Sequence, residues 1–155
     1  MSNRITYEAF SRDAAPVVAG LVAMSKAVDA AGLEKPLTEL LKVRASQING
    51  CAFCLQYHLN IARDAQVPRV KLDLVATWHE VPEHYTERER AALAWTEALT
   101  AKPHEGVSDA LYAQVERQFP GTQMAFLTAA VANINAWNRI AMALRFAPPV
   151  PKDAG

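Results

Sequence analysis

Proline and glycine cut this chain into runs whose apolar residues recur every three or four positions, and no run alternates with period two for long enough to form a strand. That pattern permits amphipathic helices and little else. Pro16 suits the first turn of a helix that runs to Ala30-Ala31-Gly32, where Gly32 fits a C-terminal cap. Pro36 opens a second, from Leu37 to Ile48, with Leu37, Leu40, Leu41 and Val43 as its apolar stripe. Asn49-Gly50 stops it, because both residues tolerate the left-handed conformation of a helix end. A third helix begins at Cys51 and runs to about Ala65, and Pro68 introduces a shorter one carrying Val70, Leu72, Leu74 and Val75.

Thr86 with Glu89 makes a capping box for a helix to about Ala101. Ser108 begins another, which ends near Phe119 before Pro120-Gly121. The last, from Thr122 to about Phe146, is apolar on most faces and belongs at the centre. The tail Pro148-Pro149-Val150-Pro151 is extended, on the surface or against a partner subunit. The expectation is an all-α, compact bundle of about six to seven helices, one domain over 1–155 with its core motif at 36–66.

Sixteen basic residues balance sixteen acidic ones, so no strong field draws the chain to nucleic acid or anionic lipid. The N-terminus lacks the apolar stretch of a signal peptide. No window reaches the roughly 18 apolar residues that a membrane span needs. A soluble cytoplasmic protein is expected. In a reducing compartment a C-x-x-C pair reads first as redox or metal chemistry.

That pair is Cys51 and Cys54, followed by His58. Spacings of three and four put all three on one helix face, with the thiols about one turn apart and within reach of a disulfide. A bridge closing so short a loop removes little unfolded-state entropy, which favours reversible redox over stabilisation. A thiol of ordinary pKa is only about 3% thiolate at neutral pH, and making it mostly thiolate takes about 2.7 kcal/mol. A helix N-terminus supplies only about 0.3–1 kcal/mol. His58 is the base or cation that supplies the rest. The tight stop at Asn49-Gly50 implies an antiparallel hairpin, which brings Glu39 within a turn or two of His58 to hold its imidazole.

The stretch Lys42-Val43-Arg44-Ala45-Ser46-Gln47-Ile48-Asn49-Gly50 leading into this pair, with Glu39 twelve residues before Cys51, resembles the AhpD-like alkylhydroperoxidases. These belong to the carboxymuconolactone decarboxylase superfamily. The resemblance covers residues 39 to 58, with a weaker match at Asn135-Ala136-Trp137-Asn138-Arg139. It implies that Cys54 attacks a hydroperoxide, that Cys51 resolves the product as a disulfide, and that His58 and Glu39 relay protons. It also implies antioxidant defence without a cofactor, a dithiol or protein disulfide-reductant donor, and assembly into trimers or hexamers. Phe53 departs from relatives that carry a histidine before the second cysteine.

Other readings stay open. The same dithiol serves a redox adaptor that passes electrons to a separate peroxidase. A decarboxylase-type enzyme belongs to the same superfamily, although such relatives generally lack the cysteine pair. Cys51, Cys54, His58 and Glu39 are also legal zinc ligands. His79, His84 and His104 are expected to face solvent, and Trp78, Trp95 and Trp137 to serve as core or subunit contact. Arg44 and Arg139 are candidates to pair with buried acids.

Overall fold

The computed structural model describes residues 4–152, so the first and last three residues of the expected domain lie outside it. It is all-helical, with eight α-helices among the described residues: α1 (Tyr7–Asp13), α2 (Ala15–Ala30), α3 (Lys35–Asn49), α4 (Ala52–Asp64), α5 (Arg69–Leu74), α6 (Glu87–Ala101), α7 (Asp109–Gln118) and α8 (Thr122–Leu144). Seven follow the sequence pattern. The eighth, α1, was not anticipated; Thr6 caps it by accepting from the Ala9 amide, a signal its seven residues alone do not make conspicuous. The expected capping box forms at Thr86 and Glu89. Short 3-10 turns over Val75–Glu80, Pro82–His84 and Pro103–Glu105 replace the loops expected around His79, His84 and His104.

Two helices form the centre. As expected, α8 packs against α2, α3, α4 and α6. The other, α3, is more deeply buried than its apolar stripe implied: nine of its fifteen residues are buried, among them Thr38, Glu39, Lys42 and Ser46. Leu41 joins a core of Val28, Trp95, Phe119, Leu127 and Val131. On another side Leu40 and Val43 meet Ala62, Val75, Trp78 and Leu93. Ala45 lies in a third cluster, with Cys51, Cys54, Ile134, Ala141 and Phe146. A helix surrounded on all sides must satisfy its polar side chains within the protein.

One group of polar side chains is satisfied by α8. Asn138, fully buried, donates to Ser46 Oγ at 3.2 Å and accepts from Asn49 Nδ2 at 2.7 Å. Asn49 Nδ2 also reaches Asn135 Oδ1 at 3.0 Å, and Asn135 donates to Thr100 Oγ1 at 2.9 Å. The weaker motif of the last helix therefore grips the end of α3, the turn from which Cys51 emerges. Arg139 does not pair with a buried acid. It donates to the backbone and side-chain oxygens of Asn135, both at 3.0 Å, and no carboxylate oxygen of the described residues comes within 4 Å of it.

Asn138→Ala would leave the buried Ser46 hydroxyl without its donor and take from the partly buried Asn49 amide the shorter of its two hydrogen bonds. A loss of about 2–4 kcal/mol in urea unfolding is expected, against less than about 0.5 for the exposed control Lys26→Ala. A loss under about 1 kcal/mol would mean that the asparagine cluster does not hold the two central helices together.

Candidate active site

Between α3 and α4 the chain reverses through a single residue in the left-handed region, Gly50 at φ +71°. The Gly50 amide donates to Gln47 O and the Cys51 amide to Ser46 O, closing off the end of α3. Cys51 does not begin α4 but caps it: its Sγ accepts the Cys54 amide at 3.2 Å. The two cysteines are joined as a disulfide, with Cα atoms 5.4 Å apart. Both are almost fully buried.

The hairpin register expected from the tight turn is realised. His58 Nδ1 lies 2.7 Å from Glu39 Oε2. The carboxylate has no exposed surface, and its other oxygen accepts from Lys42 Nζ at 2.8 Å and meets Lys35 Nζ at 3.2 Å. Burial works to raise the Glu39 carboxyl. The hydrogen bond and charge of His58, then Lys42, outweigh it and hold the group down at about 2. Burial acts the other way on His58 and lowers it below its ordinary 6.5; Lys42 and Lys35 push in the same direction, and Glu39 only partly offsets them. An ionised carboxylate only accepts, so Nδ1 carries the proton and donates it to Glu39. At neutral pH this leaves Nε2 of a neutral imidazole as a free base.

His58 and Cys54 line one cavity of about 110 Å³, with Lys42, Ser25, Asn133 and Ile134 and the rings of Tyr7, Phe53, Tyr57 and Trp137. Cys51 instead borders a shallow groove with Gly50, Phe53, Met142 and Phe146. The two cysteines are thus bonded to each other but border different surfaces. Phe53 packs on Tyr7, Tyr57 and Phe146, with ring centroids 5.0, 6.1 and 5.4 Å away.

Sequence reasoning missed most of the other side chains around Cys54 and His58. Lys42 stands three residues after Glu39, a helical ion-pair spacing that points to it. Trp137 packs against a core cluster, as assigned, and also lines the cavity, which was not anticipated. Asn133 and Tyr7 carried no local signal, since only the tertiary fold brings α8 and α1 here. The remaining histidines stay away from the cavity. His79 is largely exposed, with Nε2 2.8 Å from Glu97 Oε2, and Glu97 Oε1 also takes Arg44 Nε and Trp78 Nε1. Arg44 thus does pair with a half-buried acid. Among the described residues no three of His, Cys, Asp and Glu converge as metal ligands would. None of their helices is long and apolar enough to cross a membrane.

Comparison with known proteins follows the same lines. The sequence pattern of the carboxymuconolactone decarboxylase family matches residues 15–98, the span from α2 through most of α6. The uncharacterized protein YdfG of Bacillus subtilis (strain 168) is 31% identical over 144 residues, 93% of this chain and 95% of its own. An Agrobacterium tumefaciens protein of unknown function, provisionally described as the antioxidant defence protein AhpD, superposes with a TM-score of 0.85 and 34% identity, over 92% of this chain and 97% of its own. The apo debrominase Bmp8 shares the fold at a TM-score of 0.78 and 21% identity, over 89% of this chain and 74% of its own.

Glu39→Gln keeps the side chain's shape and leaves Lys42 buried without its counter-charge. A loss of about 3 kcal/mol at neutral pH is expected. Because folding lowers both the Glu39 and His58 pKa, each group's contribution is present above its ordinary value and lost as pH falls. Wild-type stability should therefore decline below pH 6.5, where His58 must charge, and again between 4.5 and about 2. The variant should lack the lower step. Urea unfolding across pH 2–8 checks both, and an unchanged acid profile would contradict an ionised Glu39 in the folded state.

Proposed function

We propose that this chain, which belongs to the carboxymuconolactone decarboxylase family and is AhpD-like within it, reduces alkyl hydroperoxides with the Cys51–Cys54 dithiol. One observation carries the reading. Cys54, bonded to Cys51, shares a cavity with a histidine whose far nitrogen is held by a buried carboxylate. This supports reading Cys54 as the nucleophile, His58 as its base and Glu39 as the group that orients the base.

In the reduced protein His58 Nε2 takes the Cys54 proton. The thiolate attacks the terminal oxygen of R–O–O–H, forming an S–O bond as the O–O bond breaks. The departing alkoxide recovers the proton from His58 and leaves as alcohol. Cys54 is then a sulfenic acid, which Cys51 displaces with loss of water to give the disulfide. An external dithiol or disulfide-reducing protein restores both thiols by exchange, returning the two electrons spent on the peroxide. Lys42 keeps Glu39 ionised throughout, so His58 stays in the tautomer that presents a bare Nε2. Such a cycle suits a reducing compartment, and the cytoplasm is the location proposed.

A second copy of the chain belongs to the same reading. Val17, Val22 and Met24 are exposed on α2, a helix that buries only Val28. Val17 and Met24, seven residues apart and so on one side of α2, give an exposed apolar strip that suits the trimer or hexamer implied by the family resemblance. The redox-adaptor reading uses the same residues and differs only in the oxidant. The larger apolar groove beside the site, formed by Ile5, Tyr7, Phe53, Leu144 and Phe146, is where a protein partner would approach under either reading.

Stopped-flow mixing of the reduced protein with an alkyl hydroperoxide separates the cases. Cys54→Ser should abolish peroxide loss, and Cys51→Ser should stall after one turnover. His58→Gln should slow the reaction by about 10²–10⁴-fold. The wild-type rate should fall on acidification only below the ordinary histidine range, because burial holds His58 neutral to a lower pH than a free imidazole. Rapid exchange with a dithiol but negligible peroxide consumption would instead favour the adaptor. Cysteine variants that matched the wild type would remove the thiol mechanism altogether.

A further inference from the structure

Any reaction at Cys54 needs a molecule from outside, yet Cys54 is only 3% exposed and the His58 side chain 12%. Some wall of their cavity has to yield. Most of the walls are fixed. Lys42 belongs to α3, and Ile134 and Trp137 to α8, the two central helices. Ser25 on α2 is hydrogen-bonded to Asn133 of α8 at 2.7 Å. Phe53 and Tyr57 stand on α4, whose register the His58–Glu39 contact sets. The remaining wall is Tyr7, the first residue of α1. Tyr7, Phe53 and Tyr57 line both this cavity and the larger outer groove, so the two spaces adjoin at these three residues.

The attachment of α1 differs from that of every other wall. None of its seven residues is fully buried. Among the described residues, none of its side chains makes a hydrogen bond or ion pair with another helix, and Arg12 pairs only with its neighbour Asp13. Ring contacts dock it: Tyr7 on Phe53 and Phe146 at 5.0 and 5.5 Å, and Phe10 on Phe146 at 5.7 Å. One exposed bond, from Arg4 to the Ala143 carbonyl at 2.9 Å, precedes the helix. Ser11 Oγ is shielded there without a hydrogen-bond partner, a defect that contact with water would cure. The joint to α2 is weak as well. Ala14 lies outside helical geometry (φ −112°, ψ 33°) and supplies no side-chain cap. Pro16 has no amide with which to carry the helical ladder across the joint.

We infer that α1 is a lid on the Cys54 cavity, swinging at Ala14 to carry Tyr7 away from Phe53 and Tyr57 and to admit a molecule from the outer groove. Opening breaks ring contacts and one exposed hydrogen bond, and leaves the central helices untouched. Docked again, the lid keeps bulk water and stray thiols from the sulfur. That the molecule admitted is a hydroperoxide rests on the peroxidase reading; the lid itself does not.

Access to the thiol can be measured without turnover. In Cys51→Ser, whose serine also suits an N-cap, Cys54 is the single thiol and its alkylation by N-ethylmaleimide reports how often the cavity opens. Phe10→Ala removes a ring that docks α1 and does not line the cavity. In that background it should speed alkylation by about fivefold or more, with the pH midpoint of the rate unchanged. Thr6→Ala, which removes the N-cap of α1, should act in the same direction. Hydrogen exchange read by mass spectrometry should show wild-type α1 opening well before α3 and α8, and Phe10→Ala should speed exchange in α1 alone. Wild-type α1 amides as slow as those of α8 would overturn the lid without any variant having to fold. So would faster α1 exchange with an unchanged alkylation rate, since the helix would then move without uncovering Cys54. A faster rate with a shifted pH midpoint would overturn it too, because the change would lie in the thiol and not in access. Alkylation that responds as expected beside absent peroxide consumption removes only the peroxidase reading. Peroxide consumption beside alkylation that fails to respond removes only the lid.

Discussion

A carboxylate with no exposed surface is the constraint around which this fold is arranged. Burying a lone ionised carboxylate costs several kcal/mol even after relaxation, so Glu39 is tolerable only with close partners. It has three: Lys42 and Lys35 from its own helix and His58 from α4. The two lysines are local and would accompany Glu39 on any isolated helix. His58 is not local, and its 2.7 Å contact fixes the register of α4 on α3. A slip of one turn would leave a buried charge short of a partner and move Cys54 off the cavity. Stability and site geometry therefore depend on the same contact.

The asparagine cluster does at the other end of α3 what Glu39 does near its start. Asn138 and Asn135 on α8 hold Ser46 and Asn49, so the Gly50 turn is clamped just before the chain enters Cys51. The Cys51 sulfur in turn accepts the Cys54 amide and stands where an N-cap oxygen ordinarily would. The cysteine pair is thereby fixed from both sides, by the end of one helix and by the start of the next. Rigidity at this position favours a dithiol that opens and closes without reorganising its surroundings.

Much of this was legible in the chain itself, for identifiable reasons. Proline, glycine and capping residues act within a few positions of themselves, so the helix limits at Pro16, Asn49-Gly50, Thr86 and Pro120-Gly121 follow the sequence closely. Cys54 and His58 are one helix turn apart and share a cavity as their spacing implied, whereas Cys51, expected on the same face, caps α4 and borders another surface; the short hairpin made Glu39 a good candidate. The unread parts were long-range. Arg139 turns back onto Asn135 of its own helix, and Trp137 lines a cavity whose other walls come from helices distant in sequence. The depth of α3 was hidden by its own polar residues, which on a surface helix would have marked the solvent face.

The sequence by itself determined an all-helical chain with a dithiol at a helix start and an imidazole one turn further on, because helical periodicity and capping are short-range effects. The tertiary structure alone decided which cysteine borders the cavity, that burial lowers His58 while its partners hold Glu39 ionised, and that Asn133 from a helix some eighty residues away lines the same cavity. Burial and the placement of charges belong to the packed interior, and no stretch of chain possesses an interior until its helices have assembled around it.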